Sequence, residues 1–239
     1  MRIAGKAALV TGGTDGIGLE IALQLKAKGA TVLVCGRDPG RLDAAREQGF
    51  HALEADLSTR IGCDALIEEL DGITLDILVN NAGMSGPTDL LTGFDTGETD
   101  RCVYLNLNAP MQLIAAFLPG LRERPEAAIV NVTSGLAIAP RAGGPVYCAT
   151  KAGLRSFTQT LRHQLRNSRV IVIEALPPVV DTRMTEQAPQ KKMAPADCAA
   201  QIVRGIETDR DEVHVGAVKL LRAVSEISPA LARRIMIKY

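Results

Sequence analysis

Thr11-Gly12-Gly13-Thr14-Asp15-Gly16-Ile17-Gly18 follows directly on the apolar run Ala7-Ala8-Leu9-Val10 and opens a helical pattern that runs from Gly18 to Lys28. Glycine lets the backbone turn tightly and approach a pyrophosphate, whose charge the helix N-terminus meets. A glycine turn alone says little, because many strand-to-helix connections use glycine for geometry only. Here strand, turn and helix stand in register, which favours a dinucleotide site with Gly12, Thr14, Asp15, Gly16, Ile17 and Gly18 in reach. Within that set Asp15 is read chiefly as the helix N-cap, since a carboxylate facing phosphate would be repelled.

The same alternation continues along the chain. Strands are predicted at Ala7 to Thr11, Thr31 to Cys35, His51 to Ala55, Leu75 to Asn80, Ala128 to Thr133, Val170 to Ala175 and Glu212 to Val215. Several are continuous apolar runs, as a parallel sheet covered on both faces requires. Helical patterns lie between them at Arg41 to Gln48, Asp64 to Leu70 and Ala152 to Leu165, and Gly29 reads as the stop of the first helix. The expectation is an α/β fold: a Rossmann-like, doubly wound, mostly parallel seven-stranded sheet with helices on both faces. No linker or compositional shift divides the chain, so residues 1–239 are read as one domain. Two long connections, about 84–98 and 178–196, follow strand ends on the edge where such sheets bind ligands.

Composition excludes several roles. Lys plus Arg equals Asp plus Glu at 27 each, so no net field draws nucleic acid or an anionic membrane. Tryptophan is absent and aromatics are 3%, which leaves little for base stacking. No apolar stretch approaches membrane-spanning length, and the N-terminus has no signal-peptide pattern. The five cysteines are scattered without metal or disulfide spacing, so reduced thiols and a cytoplasmic protein are expected, with no metal site.

Sequence also bears on the cofactor. An NAD site usually carries a carboxylate about twenty residues beyond the turn, bonded to the ribose 2′-hydroxyl. This chain has Cys35-Gly36-Arg37 there, and the guanidinium of Arg37 suits a 2′-phosphate, favouring NADP(H) over NAD(H). The alternative is that Arg37 is solvated and Asp38 merely caps the next helix.

Tyr147-Cys148-Ala149-Thr150-Lys151 puts a phenol and an ammonium four residues apart, on one helix face. A phenol titrating near 10 is a poor acid or base unless a nearby charge favours its phenolate. Such a pair recurs by chance, so its surroundings decide. They include Ser134 at a strand end, Asn80-Asn81-Ala82-Gly83 after the fourth strand, and Asn106 in the helix after the first long loop. In this order and spacing the set resembles the short-chain dehydrogenase/reductase family, from Lys6 to about Gly216, and especially bacterial members with an Asn-x-x-Ala-Pro helix.

The resemblance implies roles. Ser134 would hydrogen-bond a substrate carbonyl, Tyr147 would act as general acid/base, and Lys151 would hold the ribose hydroxyls and favour the phenolate. Asn106, preferred over Asn108, would anchor a water linking Lys151 to solvent. Asp56 and Leu57 would meet the adenine, and Asn81, Ala82 and Gly83 the adenosine ribose. Pro177, Val180 and Thr182 would border the nicotinamide, with Thr182 on its carboxamide. Ser134 could instead be a strand-end cap, and Lys151 a surface lysine. Pro178 stands where many members have glycine, and Arg183 to Ala188 is compatible with a short lid helix.

The pocket would be bordered by apolar residues such as Leu136, Val146 and Met184, with Arg141 and Arg183 as cationic exceptions. That fits a medium-sized carbonyl or secondary alcohol. A 3-oxoacyl thioester reductase stays open, as does a non-catalytic dinucleotide-binding regulator, against which the intact Ser134, Tyr147 and Lys151 speak. In the family, the helix around Thr99 to Leu118 and that from Tyr147 pair across a two-fold axis, and the C-terminal segment often adds an interface. A homodimer or homotetramer is expected.

Overall fold

The computed structural model describes residues 1–91 and 93–239, and its seven strands form one parallel sheet in the order β3-β2-β1-β4-β5-β6-β7. The strands are β1 (Ala7–Thr11), β2 (Thr31–Gly36), β3 (His51–Glu54), β4 (Ile77–Asn80), β5 (Ala127–Val132), β6 (Val170–Leu176) and β7 (Glu212–His214). Between them run α1 (Gly16–Ala27), α2 (Pro39–Glu47), α3 (Arg60–Glu69), α4 (Thr96–Val103), α5 (Ala109–Arg122), α6 (Pro145–Gln164) and α7 (Pro195–Glu207). Two further helices, α8 (Val218–Ile227) and α9 (Pro229–Met236), follow β7. Among the described residues no helix is long and apolar enough to cross a membrane.

Alternation along each strand splits the core in two. Val10, Val34 and Val79 face the layer with Ile21, Leu25 and Ile202, whereas Leu9, Leu78 and Ile129 face Leu66, Leu113 and Leu161. Both faces are covered, which is why these strands read as unbroken apolar runs. Strand order reverses between β1 and β4, so their carboxyl ends open a crevice.

The predicted elements are present with shifted ends. β4 starts at Ile77 because Asp76 is turned to accept from Ala7 N at 2.9 Å and to pair with Arg124 at 2.8 Å. α3 starts earlier, at Arg60, because the Thr59 hydroxyl caps it by accepting from Gly62 N. The helix expected from Thr99 to Leu118 begins at Thr96, where Asp95 caps it. It runs to Arg122, and a π-helical turn at Tyr104–Asn108 breaks it in the middle. The lid expected from Arg183 to Ala188 is a single 3₁₀ turn, Arg183–Thr185.

Polar side chains buried at the strand ends fix α6 against the sheet. Asn80 donates to Asn131, which donates to Thr158 on α6, each at 2.9 Å. Glu174, fully buried on β6, accepts from Thr133 and from Arg155 of α6, each at 2.7 Å, and Arg155 also reaches Glu212 on β7. Burial pushes the Glu174 carboxyl up, and Thr133 and Arg155 pull it back. A buried carboxylate needs such partners to stay in place.

Candidate active site

The glycine turn is clamped from beneath. The Thr11 hydroxyl accepts from Asn81 N and Ala82 N, both at 3.0 Å, and donates to Val79 O. Asn81 Nδ2 donates to Thr11 O at 3.0 Å and lies 3.4 Å from Gly12 O. The Asn81 side chain therefore holds the turn rather than facing a ribose. A Cβ on Gly18 would sit 2.3 Å from Gly12 O, and one on Gly16, whose φ is +53°, would sit 2.9 Å from Thr182 Cγ2. Only glycine fits at either place.

Asp15 corrects the sequence reading. It holds the N-cap position of α1, yet its side chain makes no capping hydrogen bond. Its carboxylate turns away, 3.0 Å from Arg41 and 3.1 Å from Arg183. The N-terminus of α1 is thereby left without a side-chain cap, behind a turn made tight by glycine. An uncapped helix N-terminus of this kind attracts a phosphate. Arg183 in turn spans from the second long loop to the turn, its guanidinium paired with Asp15. Asp15, Gly16, Asp181, Thr182 and Arg183 help line a cavity of about 400 Å³.

Beyond β2, a Cβ on Gly36 would meet Thr14 Oγ1 at 2.6 Å, so the missing carboxylate there has a steric cause. Arg37 is exposed, its guanidinium 3.9 Å from Asp56. Asp38 caps α2 by accepting from Arg41 N, and that amide, with the Arg41 side chain, holds its carboxyl below the ordinary value. Burial acts to raise the Asp56 carboxyl, but Ser58, Arg101 and Arg37 together bring it below its usual range. Leu57 points into the core, only 4% exposed, so only its backbone can face a ligand.

At the other side of the crevice, Ser134, Tyr147, Lys151 and Asn106 converge. Ser134 caps the 3₁₀ turn Gly135–Ala137, accepting from Leu136 N at 3.1 Å, and its hydroxyl also hydrogen-bonds Tyr147. Ser134 is therefore a strand-end cap whose hydroxyl also faces the Tyr147 phenol. Lys151 is buried, not on the surface, and donates to Val132 O at 2.8 Å, with its ammonium 5.7 Å from the Tyr147 ring centre. Burial drives the two groups in opposite directions, the Tyr147 phenol up to about 12 and the Lys151 ammonium down to about 8. The Ser134 hydrogen bond and the charge of Arg141 both act to lower the phenol.

Asn106 lies inside the π-helical turn and is fully buried, whereas Asn108 is exposed. Its Oδ1 accepts from Met84 N, and its Nδ2 donates to Met84 O and to Thr150 Oγ1. Turns of this type recur at functional sites because they re-aim a side chain inside a helix. A Cβ on Gly83 would come within 3.1 Å of Asn106 Oδ1 and 3.6 Å of Lys151 Nζ, so Gly83 lets these groups approach. Pro177 O accepts from Gly135 N, which ties the loop after β6 to the segment after Ser134. Val180 is core, and Thr182 N donates to Thr185 Oγ1. Among the described residues no three His, Cys, Asp or Glu side chains gather as a metal site.

A profile described as short chain dehydrogenase matches residues 6–193. The chain belongs to that family. The oxidoreductase DltE of Bacillus subtilis is 45% identical to this short-chain dehydrogenase over 197 residues, covering 80% of this chain and 78% of the relative. The ketoacyl reductase HetN of Nostoc is 29% identical, covering 98% and 88%. A short chain dehydrogenase from Burkholderia cenocepacia, solved in complex with NADP, superposes with a TM-score of 0.87 over the whole of both chains at 26% identity. The protein is thus an oxidoreductase acting on C=O or CH–OH groups.

Sequence reasoning missed Thr11, Thr150, Val132 and Arg41. Thr11 ends the strand before the turn, where a hydroxyl is in reach of two chain segments, and could have been found. The others act through distant partners that no local pattern marks.

Proposed function

We propose that this short-chain dehydrogenase reduces a carbonyl to a secondary alcohol with NADPH, using Tyr147 as the proton donor, and runs the reverse step when conditions favour it. The observation that carries the reading is the convergence of Ser134, Tyr147 and the buried Lys151 at the crevice edge opposite the uncapped N-terminus of α1. The residues present fit a dinucleotide: Gly12, Thr14, Gly16, Ile17 and Gly18 would hold the pyrophosphate on backbone N–H groups, without a competing carboxylate. Arg37 would meet the 2′-phosphate, Asp56 and the backbone of Leu57 the adenine, and Ala82 and Gly83 the ribose. Pro177, Val180 and Thr182 would border the nicotinamide, which supplies hydride to the carbonyl carbon when bound.

The remaining chemistry belongs to the chain. Ser134 Oγ donates to the substrate oxygen and orients it toward Tyr147. Tyr147 Oη gives its proton to that oxygen, which completes the alcohol. A phenol raised by burial keeps its proton at neutral pH, as a donor in reduction must. Lys151, which retains most of its charge below about 8, stabilises the phenolate left behind. Asn106 fixes Met84 and Thr150 around Lys151 and so keeps the ammonium's neighbourhood closed. A 3-oxoacyl thioester is the second substrate class, favoured by the likeness to a ketoacyl reductase and by the cationic Arg141 beside Tyr147.

The protein is proposed to assemble as a homodimer or homotetramer. Leu105, Phe117, Leu118 and Phe157 form a half-buried apolar face on α5, α6 and the π-helical turn, wider than the sheet requires.

Three outcomes test this account. Tyr147→Phe removes the transferable proton but keeps the ring, so kcat for ketone reduction should fall at least about 100-fold, while NADPH binding holds. Near-normal kcat, with hydride transfer shown to limit the rate, would reject Tyr147 as the donor. Arg37→Ala should weaken NADPH binding by about 1.5–3 kcal/mol and leave NADH binding nearly unchanged. An equal loss for both cofactors would reject the 2′-phosphate contact. Light scattering should give a multiple of 25.4 kDa, and a monodisperse mass at that value would contradict the assembly.

A further inference from the structure

The last two helices carry an apolar stripe that the fold does not use. Val218 and Ala232 are buried and fasten α8 and α9, which pack against each other, to the molecule. Leu220, Ala223 and Ile227, opposite Val218, are exposed at helical spacing on α8, and Leu231 and Ile235 are exposed on α9. Leu220 is 70% and Ile227 87% exposed. An amphipathic helix needs one apolar stripe for its own core, and here a second is left to the outside.

Charge is segregated along the same boundary. Residues 218–239 hold five basic side chains and one acidic, whereas the preceding 217 hold 22 basic and 26 acidic. The overall balance of charge therefore hides a cationic C-terminal surface on an otherwise acidic protein. Arg222 is paired with Glu226 at 2.8 Å, which leaves Lys219, Arg234 and Lys238 exposed on the same hairpin, while Arg233 is exposed on the far face of α9 from Leu231 and Ile235.

These features select among occupants. A second copy docked by a two-fold axis would set this surface against itself, basic side chains against basic ones. A folded protein partner is usually anchored by aromatic residues in pockets. The stripe offers aliphatic side chains, with Tyr239 the only aromatic residue in the segment. Exposed Leu and Ile flanked by Lys and Arg suit the boundary between lipid headgroups and acyl chains.

We propose that the α8–α9 hairpin is a docking surface for an anionic lipid bilayer. Leu220, Ile227, Leu231 and Ile235 enter the headgroup boundary, and Lys219, Arg234 and Lys238 meet lipid phosphates. The contact is peripheral, since neither helix can span a membrane. Its place in the fold is next to the active site. Ala142 N, in the segment between Ser134 and Tyr147, donates to Ile237 O at 3.1 Å. Gln190, in the loop after Thr182, donates to Tyr239 O at 2.9 Å. A docked bilayer would lie against both segments that border the cleft.

Co-sedimentation of the full chain with sucrose-loaded vesicles tests this. Vesicles of phosphatidylcholine mixed with phosphatidylglycerol should pellet the protein, and phosphatidylcholine alone should do so at least about tenfold less well. Added salt should weaken the binding. The exposed double variant Arg234→Glu/Lys238→Glu should lower partitioning about tenfold or more, and Ile227→Ser/Leu231→Ser should lower it as well. Wild-type protein remaining in the supernatant with mixed vesicles at low salt would overturn the proposal, as would binding by both double variants undiminished from wild type. A drop in oligomer mass for Ile227→Ser/Leu231→Ser would also overturn it, because the stripe would then be a subunit contact.

Discussion

Lys151 donates from a buried position to the carbonyl of Val132, where β5 ends, and much of the site is arranged around that contact. An ammonium withdrawn from water is costly unless its surroundings repay it. Holding it there brings the N-terminal half of α6 to the strand end, and with it Tyr147, four residues earlier on the same face. Beside the ammonium Gly83 leaves room for Asn106, whose Oδ1 a Cβ there would approach to 3.1 Å, with Lys151 Nζ at 3.6 Å. The π-helical turn adds to this arrangement. By widening the helix at Tyr104–Asn108 it brings Asn106 to Thr150 and Met84, closing the space around the ammonium with polar groups already satisfied by one another.

Across the crevice the constraint is different. There the backbone must come close to a ligand, and the fold clears the way. The Thr11 hydroxyl and Asn81 amide tie β1 to β4, so the turn is stiff before anything binds. Asp15 is drawn off by Arg41 and Arg183, which removes a negative charge from the helix N-terminus and fastens the loop after β6 to the turn. One carboxylate thus links the two halves of the crevice.

Much of this was legible in the sequence, for identifiable reasons. Parallel strands covered on both faces must be apolar throughout, so Ala7 to Val10 and Ile77 to Val79 announce themselves. Glycines at Gly12, Gly16 and Gly18 are dictated by close approach, and the Tyr147 and Lys151 spacing by one helical turn. What stayed hidden depends on partners far along the chain. Asp15 reads as a cap until Arg41 and Arg183 are seen beside it. The π-helical turn leaves no mark on apolar periodicity, and Leu57 looks like a ligand neighbour although its side chain serves the core. The charge of the C-terminal helices was lost by counting the chain as a whole.

The central claim is that Lys151 is kept buried and charged for the sake of Tyr147, at a cost to the fold. In the unfolded chain its ammonium has its ordinary pKa of 10.5, and burial in the folded protein pushes it down to about 8. Between those values the unfolded state binds more protons, so wild-type stability rises with pH through that window and is lowest below it. Urea unfolding of cofactor-free wild type and Lys151→Met, from about pH 7 to 11, reads this directly. The variant should be more stable at pH 7 by about 1–3 kcal/mol, after allowing for its lost hydrogen bond to Val132. That advantage should shrink as pH rises from about 8 and vanish near 10.5. A variant less stable than wild type at pH 7, or a difference that does not change with pH, would contradict the account.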